Sequence, residues 1–188
     1  MTNKILVFVG MPGSGKSQAT LFLKKKGIPF VRFGQLTDDT LKERGLPQTT
    51  ENEKIIREEM RQKFGMAAYA IFAKSKIEAL LKTNHTIAVD GLYSWEEYVF
   101  LKKDFPGLIL IHIYVERERR YERLVKRPIR PVAAADCYSR DVAEIEKLNK
   151  GGPIAIADYC FDNNDDDIEK LYEKIDVLLE RLGVAKVA

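Results

Sequence analysis

Ile5-Leu-Val-Phe-Val-Gly-Met-Pro-Gly-Ser-Gly-Lys-Ser17 decides how this chain is read. Five apolar residues run straight into Gly10, and Gly10, Met11, Pro12, Gly13, Ser14, Gly15, Lys16 and Ser17 fit the pattern G-x-x-x-x-G-K-[ST]. Glycine lets the backbone turn back and bring successive N–H groups close to a chain of phosphates. The N-terminus of a following helix adds its partial positive charge. Lys16 is placed to span the β- and γ-phosphates, and the Ser17 hydroxyl to ligate Mg2+. A glycine-rich turn is the bland alternative, but composition alone would produce the full pattern in well under about 1% of chains this size. ATP with Mg2+ is the expected ligand.

Outward from that loop, further short apolar runs at 29–33, 86–90, 108–115 and 158–161 read as buried strands beside 5–9. Helical patterns occupy 15–26, 38–44, 51–82, 94–103, 116–127, 136–150 and 166–182. Strands that alternate with helices and are apolar almost throughout predict an α/β fold around a mainly parallel sheet covered on both faces. Ligands collect at the carboxyl ends of such strands. Asp90, which closes Thr86-Ile-Ala-Val-Asp90, stands where a metal-supporting carboxylate belongs. It also reads as a turn residue or the cap of the helix near Ser94, and the roles are compatible. Ile55, Ile56, Met60, Phe64, Ala67, Ala68, Ile71 and Phe72 read as packing positions.

With 188 residues the chain, 1–188, is one domain with a core of its own. Hydrophobic residues at 45% and charged residues at 31% exclude wholesale disorder. A net charge of +3 is too mild for a charge-driven nucleic-acid binder. Neither a membrane span nor a secretory leader is found, and Cys137 and Cys160 lack metal or redox spacing. The expectation is a cytoplasmic protein with reduced thiols.

Residues 10–17, Val89-Asp90-Gly91 and the arginine-rich segment after residue 115 together resemble the nucleoside monophosphate kinase superfamily. The likeness is greatest to adenylate-kinase-related and dephospho-CoA-kinase-like proteins. It extends through Phe33-Gly34, Arg44-Gly45-Leu46, Arg61 with Gly65, Glu122-Arg123-Leu124 with Arg127, Arg140-Asp141, and Ile156-Ala157-Asp158-Tyr159 followed by Asn163-Asn164. Only the phosphate loop is specific alone; the others gain weight from their order. The resemblance implies a three-layer P-loop NTPase fold with a five-stranded parallel sheet in the order 2-3-1-4-5. It further implies a helical substrate flap over 34–82, a short lid over 127–140, and Asn163 or Asn164 beside the nucleotide base. The implied activity is transfer of the γ-phosphoryl group of ATP to a small-molecule acceptor.

Two departures bear on that acceptor. Kinases of this kind commonly hold an acceptor phosphate with an arginine in the first turn of the substrate-side helix, where Asp38 stands here. A second arginine often follows the Asp-Gly pair, at the position of Tyr93. Arginine matches phosphate through a planar fork, whereas a carboxylate repels it. Arg57, Arg61 and Lys63 remain as cations, with Arg61 best placed by resemblance. The acceptor could therefore present a hydroxyl, which Asp38 positions or deprotonates while Tyr93 forms a wall or donates a hydrogen bond. Alternatively, Asp38 and Asp39 simply favour a helix N-terminus.

The segment from Glu116 to Arg130 carries seven cations against three acids, a local excess that the net charge hides. Arg123 and Arg127 share a helix face, and Pro128 and Pro131 leave Arg130 on a loop. Lid arginines close over a γ-phosphate and exclude water, the role expected of Arg123, Arg127 and Arg130, with Arg140 secondary. A solvated face laced with Glu–Arg pairs and a nucleic-acid patch are the competing readings, the latter weakened by scarce aromatics. His112, inside an apolar strand, reads as buried and hydrogen-bonded, and Asp165 to Asp167 as helix-start residues. The partner expected is a small-molecule phosphoryl acceptor, not nucleic acid or a membrane, for a monomer or homodimer. A P-loop NTPase switch acting on a protein or RNA partner is the alternative.

Overall fold

The apolar run before the glycine loop becomes β1 (Lys4–Val9), the middle strand of a five-stranded sheet. The protein is described by a computed structural model over residues 3–128 and 131–184. Around β1 lie β2 (Phe30–Arg32), β3 (Thr86–Asp90), β4 (Leu108–Tyr114) and β5 (Tyr159–Asp162), all parallel, in the order β2-β3-β1-β4-β5. This is the order the resemblance implies. Successive side chains of a strand point to opposite faces, and β1 uses both. Ile5, Val7 and Val9 join Val31, Phe33 and Val89 under α4 (Ala68–Leu81) and α5 (Trp95–Asp104). Leu6 and Phe8 join Ala19 and Leu23 of α1 (Lys16–Lys25) and Leu171, Ile175 and Leu178 of α9 (Ile168–Arg181). Each of these Val, Leu, Ile and Phe side chains, fully buried, contributes about 1.5–3 kcal/mol. The strand that ends in the glycine loop is thereby fixed from both sides.

Registers decide which residues meet at the carboxyl edge. Arg32 lies opposite Asp90, and Val9 opposite His112. His112 is half-buried, with Nδ1 3.5 Å from the Cys160 sulfur on β5.

Two helical expectations need correction. The pattern over 51–82 is two helices, α3 (Thr50–Phe64) and α4, separated at Gly65, whose φ of 79° lies in the left-handed region. A side chain is strained there, so the glycine ends α3 despite the continuous apolar periodicity across it. The helix expected to reach residue 150 is α7 (Cys137–Glu146), and a separate five-residue α8 (Gly151–Ala155) follows. Asn149, at φ 51°, turns the chain between them. The shorter α2 (Gln35–Glu43) and α6 (Arg117–Lys126) match their patterns within a few residues. Among the described residues, no helix is long and apolar enough to cross a membrane.

Candidate active site

Three glycines give the loop after β1 its shape, and each faces a fixed neighbour. Gly10, Gly13 and Gly15 have φ of 147°, 82° and 102°. A Cβ on Gly13 would lie 2.7 Å from the Arg120 carbonyl oxygen, and one on Gly15 would lie 2.6 Å from Asn163 Nδ2. Sequence reasoning explains these glycines by φ alone; the structure adds that there is no room for anything else. Asn163, 5% exposed, donates from Nδ2 to the Ser14 carbonyl at 3.0 Å. Its amide thus braces the loop from the β5 side.

Arg120 supports the same loop from the other flank. Its guanidinium forms a two-pronged pair with Asp141 of α7, at 3.0 and 2.7 Å, and also donates to the Pro12 carbonyl at 3.1 Å. Arg120 and Asp141 are 6% and 7% exposed. The arginine face of α6 therefore points inward at one position that the helical pattern could not single out, because its partner lies twenty-one residues away.

Lys16 Nζ donates to the Met11 carbonyl at 2.9 Å and to Ser14 Oγ at 3.3 Å. Burial brings its pKa down to about 7; Lys150 pushes the same way, while Glu144 and Asp90 oppose it. Phosphate oxygens are the natural relief for such a lysine. Ser17 is exposed in the first turn of α1, and Asp90 ends β3. Burial raises the Asp90 carboxyl, against the pull of Lys16 and Arg32. The helix cap near it is Ser94, which forms a capping box with Glu97, so Asp90 is not spent as a cap. One hydroxyl and one carboxylate beside a phosphate loop suit Mg2+, which keeps few protein ligands and takes the rest from phosphates and water.

A family profile described as an AAA domain matches residues 6–149, from β1 past the end of α7. Over 186 residues the chain is 36% identical to the UPF0200 protein of Thermococcus sibiricus, covering 97% of each. It is 33% identical over 183 residues to the UPF0200 protein of Sulfurisphaera tokodaii, covering 95% of this chain and 97% of that protein. The chain belongs to the UPF0200 family. Its fold is that of P-loop kinases. The structure of TT1252 from Thermus thermophilus superposes with a TM-score of 0.66 at 16% identity, over 97% of this chain and 99% of that one. Shikimate kinase from Acinetobacter baumannii, in complex with shikimate, gives 0.59 at 17% identity over 98% and 97%. A gluconokinase from Sinorhizobium meliloti gives 0.57 at 18% over 96% and 93%. At these identities the likeness is one of fold.

In this UPF0200 chain a second polar cluster lies off the carboxyl ends of β2 and β3. Asp38, in the first turn of α2, pairs with Arg32 through Oδ2 and accepts from Gln48 Nε2 at 2.9 Å through Oδ1. The cation that the Asp38 position lacks is thus supplied from the end of β2, a residue the sequence reading passed over. Thr37 and Tyr69 join hydroxyls at 2.7 Å, and the Arg61 guanidinium stacks 5.4 Å from the Tyr69 ring centre. Glu97 is fully buried; its Oε2 accepts from the N–H groups of Tyr93 and Ser94. Two atoms in this cluster, Arg61 Nε and Glu97 Oε1, are buried without a hydrogen-bond partner. Tyr93 joins this cluster through its N–H, its ring lies against Gly91 just after Asp90, and its phenol is pushed up by burial and by Asp90, Glu144 and Glu97.

Burial pushes the Glu97 carboxyl up from 4.5 to about 7, against the N–H groups that hydrogen-bond it. The folded protein therefore holds a proton there that the unfolded chain has released, and this contribution to stability is lost as pH rises towards 7. Glu97→Gln is expected to be more stable than the parent at pH 8 by on the order of 2–3 kcal/mol. Urea unfolding at pH 5 and pH 8 reads the difference; an identical pH dependence in both proteins would contradict it.

The expected lid arginines separate. Arg123 donates to the Asp165 carbonyl at 2.7 Å, tying α6 to the segment before α9. Arg127 is half-buried at the end of α6. Arg130 lies outside the described residues. Arg119 forms an exposed pair with Asp166 at 3.3 Å, so part of the segment is the solvated face that was the competing reading. Among the described residues no cluster of three or more His, Cys, Asp or Glu is arranged for a metal.

Proposed function

We propose that this protein is an ATP- and Mg2+-dependent kinase that passes the γ-phosphoryl group to a small-molecule acceptor held between α2, α3 and α5. The observation that carries the reading is the pair of unpartnered buried atoms, Arg61 Nε and Glu97 Oε1, in the cluster that Tyr93 joins to the end of β3. An unmet buried polar group costs about 1–3 kcal/mol, and a polar ligand with both a donor and an acceptor would satisfy both. A nucleotide switch needs no such second polar cluster. Lys16 and the amides of residues 10–17 would hold the triphosphate, Ser17 and Asp90 the metal, and Asp38, Arg61 and Tyr93 the acceptor. Arg123, Arg127 and Arg130 would close over the site. The metal's contribution is to neutralise charge on the phosphates.

Charge balance favours a hydroxyl acceptor over a phosphate one. Arg32 is paired with Asp38 and Arg57 with Glu53. A phosphomonoester dianion seeks arginines that are not already matched by carboxylates; an uncharged polyhydroxylic molecule suits a cluster whose charges are paired. Asp38 would orient the attacking hydroxyl. ADP release is to be measured with panels of nucleoside monophosphates and of unphosphorylated nucleosides and polyols. Turnover that requires an unphosphorylated hydroxyl compound is expected. Strong turnover of AMP or CMP would sink the hydroxyl version, and hydrolysis stimulated by a macromolecule with no phosphorylated product would sink the kinase.

A further inference from the structure

Lys150 is one residue that neither the glycine-loop motif nor the lid segment accounts for. It is 2% exposed, forms an ion pair with Glu144 of α7, and sits 4.8 Å above the centre of the Tyr93 ring. Glu144 stands one helical turn after Asp141, whose partner Arg120 donates to the Pro12 carbonyl of the glycine loop. The Tyr93 ring beneath Lys150 lies against Gly91, just after Asp90. A buried ammonium loses hydration, and an anionic ligand at this edge of the sheet would restore partners to it.

The surrounding chain is built to hold Lys150 there. Asn149, immediately before it, is the one non-glycine residue with positive φ among the described residues, a conformation that costs of order 1 kcal/mol or more. Its side chain donates to Glu96 of α5 at 2.8 Å. Gly152, just after, lies so close to Trp95 that a Cβ there would be 2.6 Å from the indole. Residues 149–152 are thus pressed onto the start of α5, beside Tyr93. Glu144 has a second cation, Arg140 Nε at 3.7 Å, so Lys150 can leave it without stranding the carboxylate.

We propose that Lys150 is a second phosphate-binding lysine that contacts the γ-phosphoryl group of the bound nucleotide from the α7–α8 side of the cleft, exchanging Glu144 for it. This inference rests on the kinase reading. The probes are the Mg2+ salts of a β,γ-imido ATP analogue and of ADP, with affinities measured by calorimetry on the full chain. The parent protein is expected to prefer the analogue. Lys150→Met is expected to lose at least about tenfold in analogue affinity, as for a charged hydrogen bond, while ADP affinity moves less than about threefold. Lys150→Arg should keep the preference. Glu144→Gln breaks the same ion pair and should also keep it, which a purely structural pair would not allow. An unchanged analogue-to-ADP ratio in Lys150→Met, or its equal loss in Glu144→Gln, would overturn the proposal while leaving the kinase reading intact. A parent protein that binds neither nucleotide would overturn both. Should Lys150→Met fail to fold, lysine side-chain NMR on the unaltered protein asks the same question. The Lys150 signal, assigned by its absence in Lys150→Arg, must shift with the analogue and not with ADP; a signal unmoved by either overturns the proposal.

Discussion

Lys16→Ala is expected to lower ADP formation from Mg-ATP at least about a hundredfold, the scale on which one charge-stabilising donor acts in a water-poor site. Lys16 donates to the Met11 carbonyl and Ser14 Oγ, partners far weaker than a triphosphate. The same lysine sets a pH dependence. Its pKa is brought down to about 7 in the free protein, and bound phosphates favour the charged form. Above pH 7 nucleotide binding must therefore draw a proton from solution, and affinity falls as pH rises. Calorimetry in buffers of differing ionisation heat, at pH 8, should show proton uptake by the parent and a loss of most of it in Lys16→Ala. Turnover preserved in Lys16→Ala would remove the loop from the chemistry.

Arg120→Ala is expected to cost about 3–5 kcal/mol, because it strands the buried carboxylate of Asp141. The lost interactions are the two-pronged bond to Asp141 and the donation to the Pro12 carbonyl. Replacing both partners by leucine removes the stranded charge and should recover much of that loss. It should not recover nucleotide affinity, since the Pro12 contact stays broken. Urea unfolding and ADP affinity, measured on the single and double variants, separate the two effects. A double variant with parental affinity would show that the brace is dispensable to the loop.

Much of this architecture is legible in the chain because it is local. The strand, glycine loop and helix from Ile5 to Lys25 are contiguous, and burial on both faces of β1 needs only an apolar run. What escapes is what depends on pairing at a distance. Arg120 reads like its neighbours Arg117, Arg119 and Arg123 until Asp141 is brought against it. Lys150 reads as the polar end of a helix until Asn149 turns it towards Tyr93. Arg32 is hidden by position: a cation at the end of a short strand signals nothing until β3 sets it opposite Asp90. Gly65 was visible, but apolar residues on both sides of it preserved the helical period and masked the break.

The glycine loop also has a thermodynamic consequence. Its backbone is hemmed in by the Arg120 carbonyl on one flank and Asn163 on the other before any ligand arrives. Conformational freedom that a slack loop would surrender on meeting its ligand has here been given up during folding. Association should then carry a small ordering penalty, with affinity set by the charges the loop presents and little by its rearrangement. On the proposed function, rigidity in this segment is expected to be part of how nucleotide is held.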